Sequence, residues 1–411
     1  MSGTILLIGT FDTKGEEFAF VRDLIKAKGY KVLLMDVGVL GEPTLAPDIT
    51  AGEVANAGGR ALEQLRRAAE RNQAFEIMMA GVQKLTPRLY SEGRFDAVLS
   101  LGGGGGTNIA TAAMRTLPFG VPKVMVSSVA SGDISPYVDI NDITFIYSVA
   151  DIAGLNRISR KVLANAAGAV CGMAGQGYGE DNEDKPLLAA TMFGVTTPCV
   201  TAVREQLEAA GYEVVVFHAT GTGGRTMEAM IRDGYIAGVA DLTTTEWCDE
   251  VVGGELSAGP DRLEAAGKAG IPQVISCGAL DMVNFHALDK VPKKFRDRQL
   301  HRHTTNVTLM RTTPAECAEI GKRIAGKLNE ATGPTTLMLP LKGVSMVDKE
   351  GAPFYDPEAD KALFDALREH IKPHVTVMEM DMHINDPEFA AAAAEQLLQL
   401  LEKAKYQESI G

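Results

Sequence analysis

A run of five glycines at residues 102–106 most constrains how this chain can fold. An apolar segment precedes it at residues 95–101, and Thr107, Asn108 and a stretch of small helix-forming residues follow it. This order predicts a strand, a turn of bare backbone and a helix capped by a hydroxyl. Each glycine costs roughly 0.5–1 kcal/mol relative to alanine, so close approach to a ligand is favoured over a merely flexible turn. Because helix N-termini attract negative charge, the expected ligand is an anion.

Length and composition indicate an ordinary globular protein with two domains. The 411 residues exceed what one core usually holds, and 45% of them are hydrophobic and 23% charged. A formal net charge of −13 argues against nucleic acid or an anionic membrane as the main partner. The five scattered cysteines lack Cys-x-x-Cys spacing, and neither a signal peptide nor an apolar run of membrane length is visible. We therefore expect a cytoplasmic protein.

The second half of the chain repeats the pattern of the first. Residues 211–216 match residues 29–34, and the strands and helices predicted on either side follow in the same order. A glycine-rich acidic segment at residues 175–186 has no periodicity, and residues 179–186 within it are the predicted linker. The predicted fold is therefore α/β, with two Rossmann-like lobes at residues 1–178 and 187–411. Both lobes are expected to have mostly parallel sheets and to be related by an apparent internal repeat.

Three turns of the first lobe follow predicted strands, and ligands of doubly wound sheets bind beyond the carboxyl ends of the strands. These turns combine backbone amides, hydroxyls, the Lys14 ammonium and the carboxylates of Asp12 and Asp133. The combination suits a nucleotide phosphate with Mg²⁺, for which Asp12 and Asp133 are the candidate ligands. The predicted cofactor-binding residues are Gly9, Thr10, Asp12, Thr13, Lys14, Asp36, Gly102, Gly103, Gly104, Gly105, Gly106, Thr107, Asn108, Ser127, Ser131 and Gly132.

Two common phosphate-binding motifs do not fit the glycine run. No Gly-Lys-Ser or Gly-Lys-Thr follows the glycines, which excludes a Walker A loop. Thr107 occupies the sixth position of the Gly-x-Gly-x-x-Gly dinucleotide pattern, so that pattern is met only in part. Asp36 ends the second predicted strand, where an acidic residue can hold a ribose hydroxyl or can cap a turn. Both interpretations of Asp36 stay open.

The second lobe contributes candidate catalytic groups of its own. Arg225 follows a glycine turn and can clamp a carboxylate or phosphate with two parallel hydrogen bonds. Glu246 beside Trp247 is a candidate general base or metal ligand, whereas the nearby Asp249 and Glu250 can be simply solvated. His303 and His301 share one face of an extended segment, but no cysteine spacing supplies a third zinc ligand, so ligand binding or a structural role is favoured. The predicted catalytic residues are Lys14, Asp133, Arg225, Glu246 and His303.

Seven longer motifs resemble those of one known family. They are Gly9-Thr-Phe-Asp-Thr-Lys-Gly-Glu-Glu17, residues 102–108, Ser127-Ser-Val-Ala-Ser-Gly-Asp133, Asp151-Ile-Ala-Gly-Leu-Asn156, Ala219-Thr-Gly-Thr-Gly-Gly-Arg225, Val307-Thr-Leu-Met-Arg311 and His383-Ile-Asn-Asp-Pro-Glu388. The family is that of bacterial proteins similar to the N-terminal ATP-binding domain of the tomato mosaic virus resistance protein. The resemblance covers nearly the whole chain and implies two Rossmann-like lobes, an ATP site in the first lobe and a homodimer. One turn departs from the family pattern, since His303-Thr-Thr-Asn306 stands where His-Asn-Pro is expected.

The leading hypothesis is a cytoplasmic, ATP-binding and Mg²⁺-dependent enzyme that acts on a small carboxylate or sugar-acid metabolite. The glycine run would hold ATP, and residues of the second lobe would hold the acceptor. Two alternatives stay open. One is a non-catalytic ATP-binding regulator or scaffold, and the other is an ATP-independent hydrolase or lyase whose glycine turn binds a phosphate or carboxylate of the substrate itself.

Overall fold

The chain divides into two compact units, which are described separately. They comprise Met1–Glu180 and Asp181–Gly411. The computed structural model describes residues 3–67, 71–176 and 185–408. Most of the predicted linker at residues 179–186 therefore lies outside the described residues.

The first unit is built on a five-stranded sheet in which neighbouring strands run parallel. Its strands are β1 Thr4–Gly9, β2 Lys31–Asp36, β3 Ala97–Gly102, β4 Lys123–Ser127 and β5 Thr144–Tyr147. They lie in the order β2-β1-β3-β4-β5. The direction of winding reverses between β1 and β3, and the crevice beyond the carboxyl ends of these two strands is where such sheets bind ligands.

Helices cover both faces of this sheet because its strands are apolar on both sides. The helices are α1 Phe11–Ala27, α2 Ala51–Ala57, α3 Leu62–Arg67, α4 Arg71–Ser91, α5 Gly104–Met114, α6 Ser135–Val138 and α7 Arg157–Gly175. Leu6 and Ile8 of β1 pack with α2, α4 and α5 into one core. Ile5 and Leu7 point to the opposite face and pack with α1 and α7. The first unit is therefore doubly wound.

The helix after the glycine run begins earlier than its sequence pattern predicts. α5 starts at Gly104, with Gly103 in the N-cap position and no side chain capping it. The expected hydroxyl cap is wrong, because Thr107 lies inside the helix and its hydroxyl donates to the Gly103 carbonyl at 2.9 Å. Tertiary packing overrides the low helix propensity of glycine here, so residues that read as a loop form the first helical turn.

The second unit contains a six-stranded parallel sheet and a three-stranded antiparallel sheet. The strands of the larger sheet are β6 Leu187–Met192, β7 Glu213–His218, β8 Gly238–Thr243, β9 Gln273–Gly278, β13 Thr335–Pro340 and β14 Thr376–Met380. Those of the smaller sheet are β10 Met282–Phe285, β11 Leu300–Arg302 and β12 Thr308–Arg311. The larger sheet has the order β14-β13-β9-β8-β6-β7, and the smaller has the order β10-β12-β11.

The two parallel sheets share one topology. The succession β7-β6-β8-β9-β13 corresponds to β2-β1-β3-β4-β5 of the first unit, which confirms the predicted internal repeat. The antiparallel sheet is an insertion between β9 and β13. The helices are α8 Thr197–Ala209, α9 Thr222–Arg232, α10 Glu246–Val252, α11 Ala265–Ala269, α12 Pro314–Leu328, α13 Pro357–His370 and α14 Pro387–Glu408, with 3₁₀ turns at Gly194–Thr196, Leu288–Lys290 and Lys293–Phe295.

The long helix α14 covers the sheet of the second unit. Phe389, Leu397 and Leu401 are buried with side chains of α8 and of the sheet strands. Across the part of the chain that the structure describes, no helix combines the length and the apolarity needed to cross a membrane.

Replacing Gly9 by alanine is expected to destabilise the first unit. A Cβ at this position would lie about 2 Å from the Phe18 ring, at 1.9 Å from its nearest carbon, so the ring would have to move. Overpacking of this kind costs about 1–3 kcal/mol, measured as the free energy of unfolding in urea. Gly168→Ala in α7 is the matched control, because no atom lies within 4 Å of its added Cβ. The control should stabilise by about 0.5–1 kcal/mol, and equal stabilities of the two variants would contradict the packing described here.

Candidate functional site

A pocket of about 330 Å³ opens beyond the carboxyl ends of β1 and β3. It lies where the strand order reverses, and its volume is in the range of small-molecule sites. The loops after β1, β2 and β5, one face of α4 and the first turn of α5 form its walls. The lining residues are Thr10, Asp12, Thr13, Lys14, Val37, Val39, Leu40, Ala74, Phe75, Met78, Gly103, Gly104, Gly105, Gly106, Ile109 and Asp151.

The first turn of α5 lines this pocket and carries amides without acceptors. Helix geometry leaves the first N–H groups of any α-helix without intrahelical carbonyls. Among the described residues, no group accepts a hydrogen bond from the amides of Gly104, Gly105 or Gly106. The helix dipole adds partial positive charge at the same end. This arrangement suits an anionic group.

The bare backbone of the glycine turn has two different causes. At two positions the fold requires a bare backbone. A Cβ at Gly102 would lie 3.1 Å from the α5 backbone, and a Cβ at Gly105 would lie 2.8 Å from the Phe75 ring. At Gly103, Gly104 and Gly106 the nearest atoms would lie 3.6, 3.9 and 3.8 Å away, which is ordinary contact. Packing within the protein therefore accounts for only two of the five glycines. Close approach of a ligand would account for the other three.

Asp12 contributes a carboxylate with one unpaired oxygen. Its Oδ2 accepts hydrogen bonds from the amides of Leu40 at 2.8 Å and Gly41 at 3.1 Å, which ties the loop after β2 to α1. Its Oδ1 is buried and has no hydrogen-bond partner in the described part of the chain. An acceptor left unpaired in this way costs roughly 1–3 kcal/mol. A cation or a donor on a ligand would remove that cost, so Asp12 fits the predicted Mg²⁺ site.

Thr10, Thr13 and Lys14 line the same pocket from the start of α1. The Thr13 hydroxyl donates to the Thr10 hydroxyl at 2.9 Å. The Lys14 ammonium donates to the carbonyl of Ile152, in the loop after β5. The backbone of Lys14 is not helical, with φ −133° and ψ 24°, and α1 is kinked there. The structure thus brings these three predicted residues together with the glycine turn.

Gly9 and Asp36 stabilise the fold and do not line the pocket. Asp36 is 2% exposed, and its Oδ1 accepts from the amides of Phe11 at 3.0 Å and Gly38 at 2.9 Å. Burial raises the pKa of Asp36 above its ordinary value, while these two hydrogen bonds lower it. Of the two interpretations of Asp36, the geometry favours the turn cap over the ribose ligand.

Thr107, Ser127 and Asn108 brace the glycine turn instead of lining the pocket. The hydroxyls of Thr107 and Ser127 lie 2.7 Å apart, and both side chains are buried. The exposed side chain of Asn108 donates to the Gly104 carbonyl at 3.1 Å. These contacts hold the strand end and the helix start in place, which is a positioning role.

The turn after β4 contributes no lining residue to the pocket. Ser131, Gly132 and Asp133 are exposed. Asp133 accepts from the Ser135 hydroxyl at 2.7 Å and from its amide at 2.9 Å, and these bonds lower its pKa. Asp133 therefore closes a local turn with Ser135 just before α6, and its metal and catalytic roles stay predictions. In the described ranges, no group of three or more His, Cys, Asp and Glu side chains is arranged to hold a metal ion.

The sequence interpretation missed the apolar wall of the pocket and Asp151. Phe75 and Met78 come from α4 at a spacing of three residues, which places them on one face of that helix. Leu40 is 73% exposed although it is apolar, and it stands at the rim after β2. Helical spacing in α4 could have identified this face. That the face meets a pocket depends on the tertiary packing.

Glu246 lies in a buried ion network of the second unit. It is 1% exposed, and its Oε1 accepts from the amides of Gly221 at 2.7 Å and Gly224 at 3.1 Å. Its Oε2 accepts from Arg262 at 2.7 Å, and Arg262 makes two further bonds to Asp241 at 2.5 and 2.7 Å. Burial raises the pKa of Glu246, and the guanidinium lowers it. Both oxygens are engaged within the fold, which indicates a structural role, and the general-base or metal-ligand role stays a prediction.

Glu246 also explains the glycine turn of the second unit. A Cβ at Gly224 would come within 2.1 Å of Glu246 Oε2, and Gly221 has a left-handed backbone with φ +82°. A carboxylate of the protein itself therefore occupies the N-terminal end of α9, where an external anion would otherwise bind. The glycines here are required by the fold, unlike three of those in the first unit.

The predicted catalytic residues of the second unit lie on separate elements. Arg225 is half-buried in the first turn of α9 and is engaged with a neighbouring group. His303 is exposed in the turn between β11 and β12, where its amide donates to the Val307 carbonyl at 3.0 Å. Glu246 is enclosed in the ion network.

Glu246→Gln is expected to destabilise the second unit by about 3–5 kcal/mol. The substitution keeps the shape but leaves Arg262 with less compensating charge in a buried site. The measurement is the free energy of unfolding in urea, with Glu205→Gln on the exposed face of α8 as the control. The control should change stability by less than about 0.5 kcal/mol. A variant as stable as the unmodified protein would contradict the structural role of Glu246.

Three buried carboxylates surround Arg311 at the end of β12. Its Nη2 lies 2.6 Å from Asp360 Oδ1 and 3.5 Å from Asp348 Oδ1. Asp281 accepts from the Ser345 hydroxyl at 2.8 Å, and its other oxygen has no partner among the described residues. Burial raises the pKa of Asp281 to about 7 and that of Asp360 to about 8. One guanidinium does not balance three carboxylates, so the folded protein retains protons here near neutral pH.

This cluster predicts that the unfolding temperature falls as pH rises from about 4 to about 8. The ordinary pKa of an aspartate is 3.8, so in this range the unfolded chain releases protons that the folded cluster retains. Asp360→Asn removes one titrating group and should make the decline shallower, measured by thermal unfolding at pH 5, 6, 7 and 8. Asp365→Asn, on the same helix but half-buried and with a lowered pKa, should keep the slope of the unmodified protein. Equal slopes for all three proteins would contradict the assignment.

The fold is that of an α/β protein with two doubly wound, mostly parallel sheets. Residues 3–178 match the Uncharacterised protein family (UPF0261) N-terminal domain, and residues 185–401 match the C-terminal domain of the same family. The chain therefore belongs to this family.

Two relatives and one solved structure illustrate how far this similarity extends. A UPF0261 protein of Clostridium tetani is 54% identical, over 98% of this chain and 100% of its own. The ToMV resistance protein Tm-1 of Solanum lycopersicum is 38% identical, over 99% of this chain but 57% of its own, which confirms the resemblance stated from the motifs. The UDP-N-acetylglucosamine 2-epimerase of Rickettsia bellii is 11% identical, over 67% of this chain and 79% of its own. Its TM-score of 0.25 is too low to support an argument.

Proposed function

We propose that the first unit binds ATP together with Mg²⁺, and that the protein is a cytoplasmic enzyme acting on a small carboxylate or sugar-acid metabolite. We also propose that it forms a homodimer, as the family resemblance implies. The observation that carries the proposal is the open N-terminus of α5. Its amides lack acceptors in the described structure. At three of the glycines in this turn a Cβ would fit, and yet the residue is glycine.

The residues of the pocket suit the parts of a nucleotide. The amides of the first turn of α5 and the Lys14 ammonium would hold phosphate oxygens, and the hydroxyls of Thr10 and Thr13 would add hydrogen bonds. Asp12, with its unpaired Oδ1, would hold Mg²⁺ directly or through a water molecule. The apolar surfaces of Phe75 and Met78 would contact the base. Bound ATP would supply an activated phosphoryl group for the acid substrate.

A second candidate is a regulator or scaffold that binds ATP without consuming it. One observation favours it: both carboxylate oxygens of Glu246 are engaged within the fold, and Glu246 lies on a different element from Arg225 and His303. The two candidates differ in turnover. ADP release in the presence of a panel of carboxylic and sugar acids supports the enzyme, whereas tight binding without ADP release supports the regulator.

Calorimetric titration with MgATP tests the site itself. Gly104→Val places a side chain over the amides, and Lys14→Ala removes a cation, so each should weaken binding at least tenfold. Lys26→Ala, exposed at the other end of α1, is the matched control and should bind like the unmodified protein. Thermal unfolding would verify that the variants remain folded. If the unmodified protein does not bind MgATP, or if Gly104→Val binds it equally well, the proposal is wrong.

A further inference from the structure

The segment at residues 288–303 is basic in a protein that is otherwise acidic. It contains six lysine and arginine side chains but only two aspartates, in a chain with a net charge of −13. The segment connects β10 to β11 and forms β11 itself, within the antiparallel sheet inserted between β9 and β13. In the described chain of the first unit, only the short helix α6 stands between the corresponding strands β4 and β5. Insertions of this kind often carry functions that the shared framework does not.

A wide pocket of about 870 Å³ lies in this region of the second unit. Three arginines line it, together with the apolar side chains of Ala287, Leu288 and Leu300. Leu288 is 49% exposed, so part of the apolar surface faces solvent. Among the residues that line the pocket, Asp289 is the only acidic one. The pocket therefore joins concentrated positive charge to a small apolar surface.

The three arginines differ in how far their charge is neutralised. Arg298 is paired with Glu316 through two hydrogen bonds of 3.0 and 2.8 Å, so its charge is balanced. Arg296 donates only to backbone carbonyls, those of Val291 at 3.3 Å and Asp289 at 3.5 Å. Arg302 has no hydrogen bond or ion pair from its side chain to any described residue. Two guanidinium groups at this pocket thus lack an anionic partner.

We propose that this pocket binds a small polyanion, a metabolite with at least two carboxylate or phosphate groups and a short apolar body. Arg302 and Arg296 would each engage one anionic group, since a guanidinium matches the planar geometry of carboxylates and phosphates. Arg298, fixed by Glu316, would position the wall between them. Leu288 and Leu300 would contact the apolar part of the ligand. The pocket belongs to the second unit, and this proposal does not rest on nucleotide binding by the first.

Calorimetric titration with pyrophosphate and with citrate tests the proposal and separates phosphate from carboxylate ligands. The titrations use the full-length protein and its Gly104→Val variant, in which the glycine turn of the first unit is covered. Arg302→Gln and Arg296→Gln should each weaken binding of at least one probe about tenfold or more, and binding should weaken as salt is added. Lys293→Gln is the matched control, because Lys293 is exposed in the same segment, carries the same charge and does not line the pocket.

The possible results distinguish binding in this pocket from attraction of the probe by the net charge of the segment. Binding that persists in Gly104→Val, is lost in Arg302→Gln and is retained in Lys293→Gln supports the pocket. Equal weakening by Arg302→Gln and Lys293→Gln would mean attraction by net charge alone and would overturn the proposal. Binding lost in Gly104→Val but kept in Arg302→Gln would place the probe in the first unit, which also overturns it. So would the absence of binding to the unmodified protein.

Discussion

Both units depend on one constraint. The strands of their larger sheets pair in parallel, and the direction in which successive strands are added reverses at one point of each sheet. Each parallel strand must be followed by a crossover, and the crossovers of the first unit place α1 and α7 on one face and α2, α4 and α5 on the other. The loops after the two strands at the reversal diverge to opposite faces. A crevice therefore opens between them, and in the first unit it becomes the pocket beyond β1 and β3.

The N-terminus of α9 in the second unit and that of α5 in the first unit differ in whether a side chain of the protein accepts hydrogen bonds from the amides there. In the second unit, Glu246 reaches the amides of Gly221 and Gly224, and Arg262 compensates its buried charge. The N-terminus of α9 is thereby neutralised by the protein itself. In the first unit, no described side chain performs this task for the amides at the start of α5. The open N-terminus of α5 and Asp12, whose Oδ1 has no partner among the described residues, therefore line the same pocket.

Local sequence patterns predicted which residues lie at the edge of the sheet that carries the pocket. They did not predict which of those residues line the pocket. Thr10, Asp12, Thr13 and Lys14 follow β1, and the glycine run follows β3, so the position of a turn after a strand was enough to place them at one edge. The same rule also selected Asp133, which is exposed, accepts a hydrogen bond from the amide of Ser135 and does not line the pocket. Position along a strand predicts which edge of a sheet a residue reaches. It does not predict whether a side chain there finds a ligand or a partner within the protein.

The sequence by itself determined the α/β class, the repeat of strand and helix order, and the strand–glycine–helix stretch, because these depend on hydrophobic periodicity and on short-range turn chemistry. Only the tertiary structure decided the start of α5 at Gly104, the burial of Glu246 and the clustering of three carboxylates around Arg311. It also decided that Gly105 and Gly224 need a bare backbone, since the atoms that a Cβ would meet belong to Phe75 in the first case and to Glu246 and Arg262 in the second. Burial, charge compensation and close contact are long-range properties, and a linear pattern does not contain them.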